Sequence, residues 1–260
     1  MKRFISGAAC IILLAACSKS NTVKPPEETP DVLKYLTKVT DDDGGITELT
    51  YNAQNHLVSF IGDDNEGMRT SYGNDGNLLM SEVWTEDVLS RLYIDYVNGI
   101  PKTGVERYFL RADNSHTDTY NLEYTVENNQ VVKIRMHDSA RLKPSFDVFI
   151  RYEKGNITSA LQVPVGEMTD TITYVGWTYG TKRNPYSALK SKYYVSPTGA
   201  GVLFQSANEP LTLHSRIPVV NATVREKFVY QYDKEGYPIR EARVDEGATD
   251  SIIIHYEYRR

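Results

Sequence analysis

Cysteine is nearly missing from this chain. Only Cys10 and Cys17 occur in 260 residues. Nothing after residue 17 can therefore form a disulfide, a thiolate metal site or a sulfur nucleophile. Long hydrophobic runs are missing too. A membrane-spanning helix needs about 20 apolar residues, and the one predominantly apolar stretch, from Phe4 to Ala16, falls short of that. Positive charge is sparse and ungrouped, with 29 Lys and Arg against 34 Asp and Glu and a net charge of -5. Such a balance argues against nucleic acid as a partner, because neutralising a phosphate backbone takes clustered cations. No segment repeats with a helical period. There is no His-Glu-x-x-His, Gly-x-Ser-x-Gly or phosphate-loop pattern, and His56, His116, His137, His214 and His255 are scattered without metal-ligand spacing. No cofactor or metal is expected.

Lys2 and Arg3, the short apolar core and then Leu14-Ala15-Ala16-Cys17 form a secretory signal. A cysteine directly after Leu-Ala-Ala resembles the lipobox read by bacterial lipoprotein signal peptidase. That resemblance implies cleavage after residue 16 and acylation of Cys17, making the membrane a partner through an N-terminal lipid. Several acyl chains hold a protein firmly where one binds only marginally. Residues 17–34 read as the lipidated cysteine and a polar spacer containing Pro25, Pro26 and Pro30, which cannot bury a core.

What the chain has in excess is tyrosine: 19, against 7 phenylalanines and 2 tryptophans. Tyrosine suits a half-buried pleated surface and carries a hydroxyl that needs a partner. From residue 35 onward one unit recurs, an alternating strand ending in tyrosine, a polar turn, and a second strand opening on aliphatics. Ile46–Tyr51 leads into His56–Ile61, Met68–Tyr72 into Leu78–Val83, and Phe146–Tyr152 into Ile157–Leu161. Asn98-Gly99 is a strong hairpin signal after Leu92–Tyr96. The recurring tyrosines are placed at 51, 72, 96, 124, 152, 232 and 256. Period-two alternation with one polar face fits an antiparallel sheet wetted on one side. The expected fold is all-β, a single domain over residues 35–260. It would be an antiparallel meander of repeated hairpins forming one large curved sheet or a partly closed sandwich or half-barrel. An irregular insertion from about Gly180 to Asn221, with Pro185, Pro197, Pro210 and Pro218, would cover part of its apolar face. Short helical turns are expected near Tyr186 to Lys190.

The units with tyrosine followed by Asp or Asn, Gly and Leu resemble the tyrosine–aspartate repeats of Rhs-type proteins. Tyr230-Gln-Tyr-Asp233 with Gly236, and Tyr72 with Asp75-Gly76-Asn77-Leu78, carry the likeness. The stretch from Trp177 through Asn184-Pro185-Tyr186, then Tyr232 to Pro238 and Tyr256-Glu-Tyr258, is similar to a domain of unknown function common in exported Bacteroidota lipoproteins. The resemblance implies an all-β repeat fold and a cell-envelope address, and it brings no activity with it.

Chemistry is thinly signalled. Ser187-Ala-Leu-Lys190 and Lys102-Thr-Gly104 match short patterns of penicillin-recognising enzymes, but in reversed order and without helix. Asp41-Asp-Asp-Gly-Gly45 and Asp63-Asp-Asn-Glu-Gly67 lack calcium-loop spacing and read as turns. Trp84, Tyr193 and Tyr194 are the ligand-contact candidates, as aromatics able to stack on sugars if exposed; Trp177 shares parity with Thr173 and Val175 and suits a core. The function read from the chain is a lipid-anchored outer-membrane lipoprotein, facing periplasm or exterior, acting as a non-catalytic binding module for a glycan or protein. The alternatives are a polysaccharide hydrolase and a scaffold for another envelope protein.

Overall fold

The computed structural model describes residues 33–140, 145–165, 173–187, 193, 195, 205–218, 221–247 and 251–260. Cys17, most of the spacer, Tyr194 and the apolar piece at 202–204 lie outside the described residues.

Sixteen antiparallel strands follow one another in sequence. They are β1 (Tyr35–Asp41), β2 (Ile46–Tyr51), β3 (Leu57–Gly62), β4 (Gly67–Tyr72), β5 (Leu78–Trp84), β6 (Val88–Val97), β7 (Ile100–Leu110) and β8 (His116–Glu127). The second half continues with β9 (Gln130–Asp138), β10 (Phe146–Glu153), β11 (Asn156–Pro164), β12 (Thr173–Arg183), β13 (Asn208–Ile217), β14 (Ala222–Tyr232), β15 (Pro238–Asp245) and β16 (Ser251–Arg259). Each strand pairs with its sequence neighbours, and β1 pairs with β16, Val39 opposite Tyr256. The sheet is thus a closed barrel. The expectation of an open curved sheet, sandwich or half-barrel is corrected: the first and last strands bond to each other and leave no edge.

Closure divides each strand's residues between lumen and outer wall. On β8, Leu122 and Tyr124 are buried while Asn121, Glu123 and Thr125 are exposed. Inward residues of β6 and β8–β12, among them Leu92, Leu122, Ile134, Met136, Val148, Ile150 and Trp177, form one apolar cluster. Leu36, Leu49, Leu57 and Tyr256 form a second, with Phe60, Met68 and Tyr258 against it.

A barrel of sixteen strands is too wide for wall side chains alone to fill. Described residues of the segment between β12 and β13 add bulk to the interior. Tyr193 and Val195 sit in the first cluster, and the Val195 carbonyl accepts a 2.9 Å hydrogen bond from the Tyr124 hydroxyl on β8. Tyr186 packs into the second cluster, its ring 6.1 Å from that of Tyr256. The base of the segment is pinned by Asn184, fully buried, whose amide donates to the Ser206 carbonyl while its oxygen accepts from the Tyr186 N–H. Tyr186, Tyr193 and Val195 of this segment thus lie inside the barrel, where the expectation was a cover over a sheet face. Its bounds are also narrower than 180–221, because β12 runs to Arg183 and β13 occupies Asn208–Ile217. A turn is described at 185–187, and the rest of the expected helical stretch lies outside the described residues.

The tyrosine repeat has a structural cause. Ladders such as β1–β2 and β5–β6 stop short of the end at which the tight hairpin turns lie. Their last pairs there are Lys38 with Glu48 and Met80 with Tyr93. Two residues beyond, a strand carbonyl has no ladder partner, and a tyrosine hydroxyl takes the place of the missing N–H. Tyr51 donates to the Leu36 carbonyl at 2.6 Å and Tyr96 to Leu78 at 2.9 Å. Tyr152 reaches Val131 at 3.0 Å, Tyr179 reaches Ile157 at 2.6 Å, and Tyr258 reaches Pro238 at 2.8 Å. Opposite most of these tyrosines the next strand bulges by one residue, so the register shifts at Thr50/Tyr51, Asp95/Tyr96 and Arg151/Tyr152. The repeat position is therefore Val126 on β8 and Tyr258 on β16, two residues beyond the expected Tyr124 and Tyr256.

Candidate binding surfaces

Two surfaces could carry function, the lumen and the outer wall. Inside, several polar residues engage one another. Glu241 accepts from the Tyr256 hydroxyl at 2.7 Å through Oε2 and from Arg243 at 3.1 Å through Oε1. Glu226 lies 3.8 Å from the same guanidinium. Burial works against the Arg243 charge, but the two glutamates hold its pKa above the usual value. Burial also raises Glu226, partly offset by Arg243. Both carboxylates thus converge on one cation. Elsewhere inside, Glu106 accepts from the Ser90 hydroxyl at 2.9 Å, while its Oε2 is buried without a hydrogen-bond partner.

The outer wall is built for water. Outward strand positions carry Glu48, Arg69, Glu82, Arg91, Asp95, Arg107, Glu123, Lys133, Arg135 and Asp147. Cross-strand ion pairs tie several together: Arg91 to Glu82 at 2.6 Å, and Arg135 and Lys133 to Asp147 at 2.8 and 3.0 Å. Burial alone would raise Asp147, yet its hydrogen bonds from Arg135 and Lys133 hold it below the ordinary carboxylate range. Outward rings are capped by cations, Arg69 over Trp84 at 5.2 Å, Arg91 over Phe109 at 5.1 Å and Arg107 over Tyr93 at 5.8 Å. On a lipid-facing wall each midplane Arg or Lys would cost about 2–4 kcal/mol.

Comparison with solved structures places this fold. The chain is similar to a porin-like protein from Bacteroides vulgatus ATCC 8482, at 13% identity and a TM-score of 0.54 over 86% of this chain and 99% of that one. A porin-like protein from Bacteroides uniformis ATCC 8492 matches at 14% identity and a TM-score of 0.50, over 86% of this chain and 95% of that one. At such identities the likeness concerns the fold. No family model and no curated protein match the chain.

Of the aromatic candidates from the sequence, Tyr193 and Trp84 are not brought together, and Tyr194 lies outside the described residues. Tyr193 is buried inside the barrel at 4% exposure and cannot meet a ligand from solution. Trp84, a ligand-contact candidate only if exposed, is 8% exposed: it lies on the outer wall under Arg69, and its indole N–H donates to the Asn65 carbonyl at 2.7 Å. Trp177 is in the core, in line with its parity. Both acidic runs are turns that cap themselves, Asp41 accepting from the N–H groups of Asp43 and Gly45 and Asp64 from that of Glu66. Among the described residues no group of three or more His, Cys, Asp or Glu could hold a metal ion. Lys102-Thr-Gly104 lies within β7, where Gly104 makes room for the Tyr93 carbonyl and the Tyr124 hydroxyl. Sequence reading missed the cations that closure assembles on one wall. Arg151 is far in the chain from Arg216, Arg225 and Lys227, but all four lie on the outer face of β10 and β13–β14; only strand register, which spacing does not reveal, puts Arg151 on the same wall.

Proposed function

We propose that the protein is a non-conducting β-barrel of the cell envelope, tethered through a lipid on Cys17, whose water-facing outer wall binds an envelope glycan or protein. The lipobox-like Leu-Ala-Ala-Cys sequence and the likeness to exported Bacteroidota lipoproteins support the address. One observation carries the non-conducting part: Tyr193 and Val195 occupy the interior, packed against Leu92, Ile134 and Val148. A pore of this strand number would need a hydrated lumen lined with polar side chains; here Tyr193 and Val195 stand in an apolar cluster of inward residues. The charged, arginine-capped outer wall supports exposure to water on every side, so the lipid and not the barrel would hold the protein at the membrane.

The test is electrical. The full chain, acylated and reconstituted into planar bilayers, is expected to give no conductance steps, and a Cys17→Ser variant is expected to leave the membrane fraction while staying in solution. Stable ohmic channels from the acylated protein would overturn the reading.

A further inference from the structure

The outer wall of β9–β15 departs from the mixed charge found elsewhere. Outward residues run in rows across the strands. Lys133, Phe149, Leu161, Tyr174 and Arg216 form one row, and Arg151, Ser159, Gly176, His214 and Arg225 form the next. A third continues through Thr178, Thr212 and Lys227. Lys133 is neutralised by Asp147, and Arg225 pairs with Glu246 at 2.8 Å. Arg151, Arg216 and Lys227 are exposed and make no ion pair among the described residues. No carboxylate occupies a position in these three rows; Asp147 lies in the row beside the first, and Glu127, Glu153, Asp245 and Glu246 stand at strand ends. A chain with net charge -5 thus keeps one basic wall.

Tyr174 lies across the middle of that wall. A Cβ placed on Gly176 would fall 2.6 Å from the Tyr174 hydroxyl oxygen, so the ring rests flat over the space that the glycine leaves. The His214 ring stands edge-on beside it, with centroids 6.0 Å apart. A groove of 540 Å³ opens on one side, lined by Phe149, Leu161, Arg151 and Tyr174. Another of 630 Å³ opens on the other, lined by Thr212, His214, Arg225 and Lys227 and, toward the strand end, by Glu226, Asp245 and Glu246. Strands lie about 4.8 Å apart, so Arg151 on β10 and Arg225 on β14 are separated by roughly 19 Å.

We propose that this trough is a binding site for an acidic polysaccharide, one whose sugars bear carboxylate or sulfate groups. The inference rests on the outer wall facing water, as argued above. The flat tyrosine offers a sugar ring an apolar face, as aromatic platforms do. Ser159, Thr178 and Thr212 supply hydroxyls to match sugar hydroxyls, with the Thr178 and Thr212 oxygens 2.7 Å apart. The unpaired guanidinium groups of Arg151 and Arg216 and the ammonium of Lys227 supply the charge complement, the guanidiniums able to bind in a bidentate manner. The length of the trough suits a chain more than a single sugar.

The experiment measures binding of the full chain, in detergent micelles, to heparin and polygalacturonate, with dextran as the neutral control. Saturable binding to the acidic polymers that weakens with salt, and none to dextran, is expected. The triple variant Arg151→Gln, Arg216→Gln, Lys227→Gln should bind about tenfold more weakly, on the scale of three exposed charge contacts, with its unfolding temperature unchanged. Tyr174→Ala should weaken binding at both low and high salt, and Tyr174→Phe should not, because stacking is not screened by ions. Equal binding by the wild type and the triple variant would overturn the proposal. So would an oligonucleotide or phosphatidylglycerol vesicles competing as well as heparin at equal charge. If neither acidic polymer binds while the barrel proves non-conducting and water-exposed, this inference alone fails.

Discussion

A phenol in place of a phenyl ring at the strand ends is explained by one missing backbone bond. Five tyrosines, 51, 96, 152, 179 and 258, each cap a carbonyl two residues past the end of a ladder. A phenylalanine would fill the same space and leave a buried acceptor open. On β4 the Thr70 hydroxyl caps the Leu57 carbonyl in the same way. Glu106 shows the opposite situation, a polar atom that folding leaves without a partner. Burial raises its pKa, and the hydrogen bonds from Ser90 and Tyr108 only partly offset that. The folded state therefore holds this proton more tightly than the unfolded chain. The associated stability is present below the unfolded value of 4.5 and is lost as pH rises through the folded one. Glu106→Gln, which mimics the protonated acid, should raise the unfolding temperature at pH 8, with a gain that shrinks toward pH 4. A shift of the same size at both pH values would contradict this account.

At the scale of elements, the segment between β12 and β13 is the part on which the interior depends. Tyr193→Ala removes an aromatic side chain that the wall cannot collapse to replace, and should lower stability to denaturant by about 3–5 kcal/mol. Tyr93→Ala, on the outer wall under Arg107, should change it by less than about 1 kcal/mol. Most strands were legible because tyrosine and aliphatics share parity, as in Tyr120, Leu122 and Tyr124. The strand β13 was not. Pro210 lies within it, and the ladder to β12 is irregular from Thr178 to Arg183, so its local pattern reads as loop. The placement of Tyr193 was equally hidden, since an apolar piece in a loop signals burial without saying against what.

For the whole molecule, alternation establishes that one side of the sheet is dry. It does not establish that β1 and β16 meet, a pairing between residues some two hundred positions apart in the chain. Nor does it reveal which side of a closed sheet is dry, since a membrane barrel alternates with the same period and the opposite sense. The basic wall was illegible for the same reason, because Arg151 and Arg225 share a row only through register. That the dry side faces inward is the claim on which both functional readings depend. The chain after residue 17 contains no cysteine, so single cysteines can be placed at will. Leu122 and Glu123 are neighbours on β8, with Leu122 at 1% exposure and the Glu123 side chain at 63%. The most direct measurement compares Leu122→Cys with Glu123→Cys, each in the membrane-tethered protein, for reaction with a charged, membrane-impermeant maleimide. Rapid modification at 123 and resistance at 122 is the predicted result; modification at 122 with protection at 123 by lipid would contradict it.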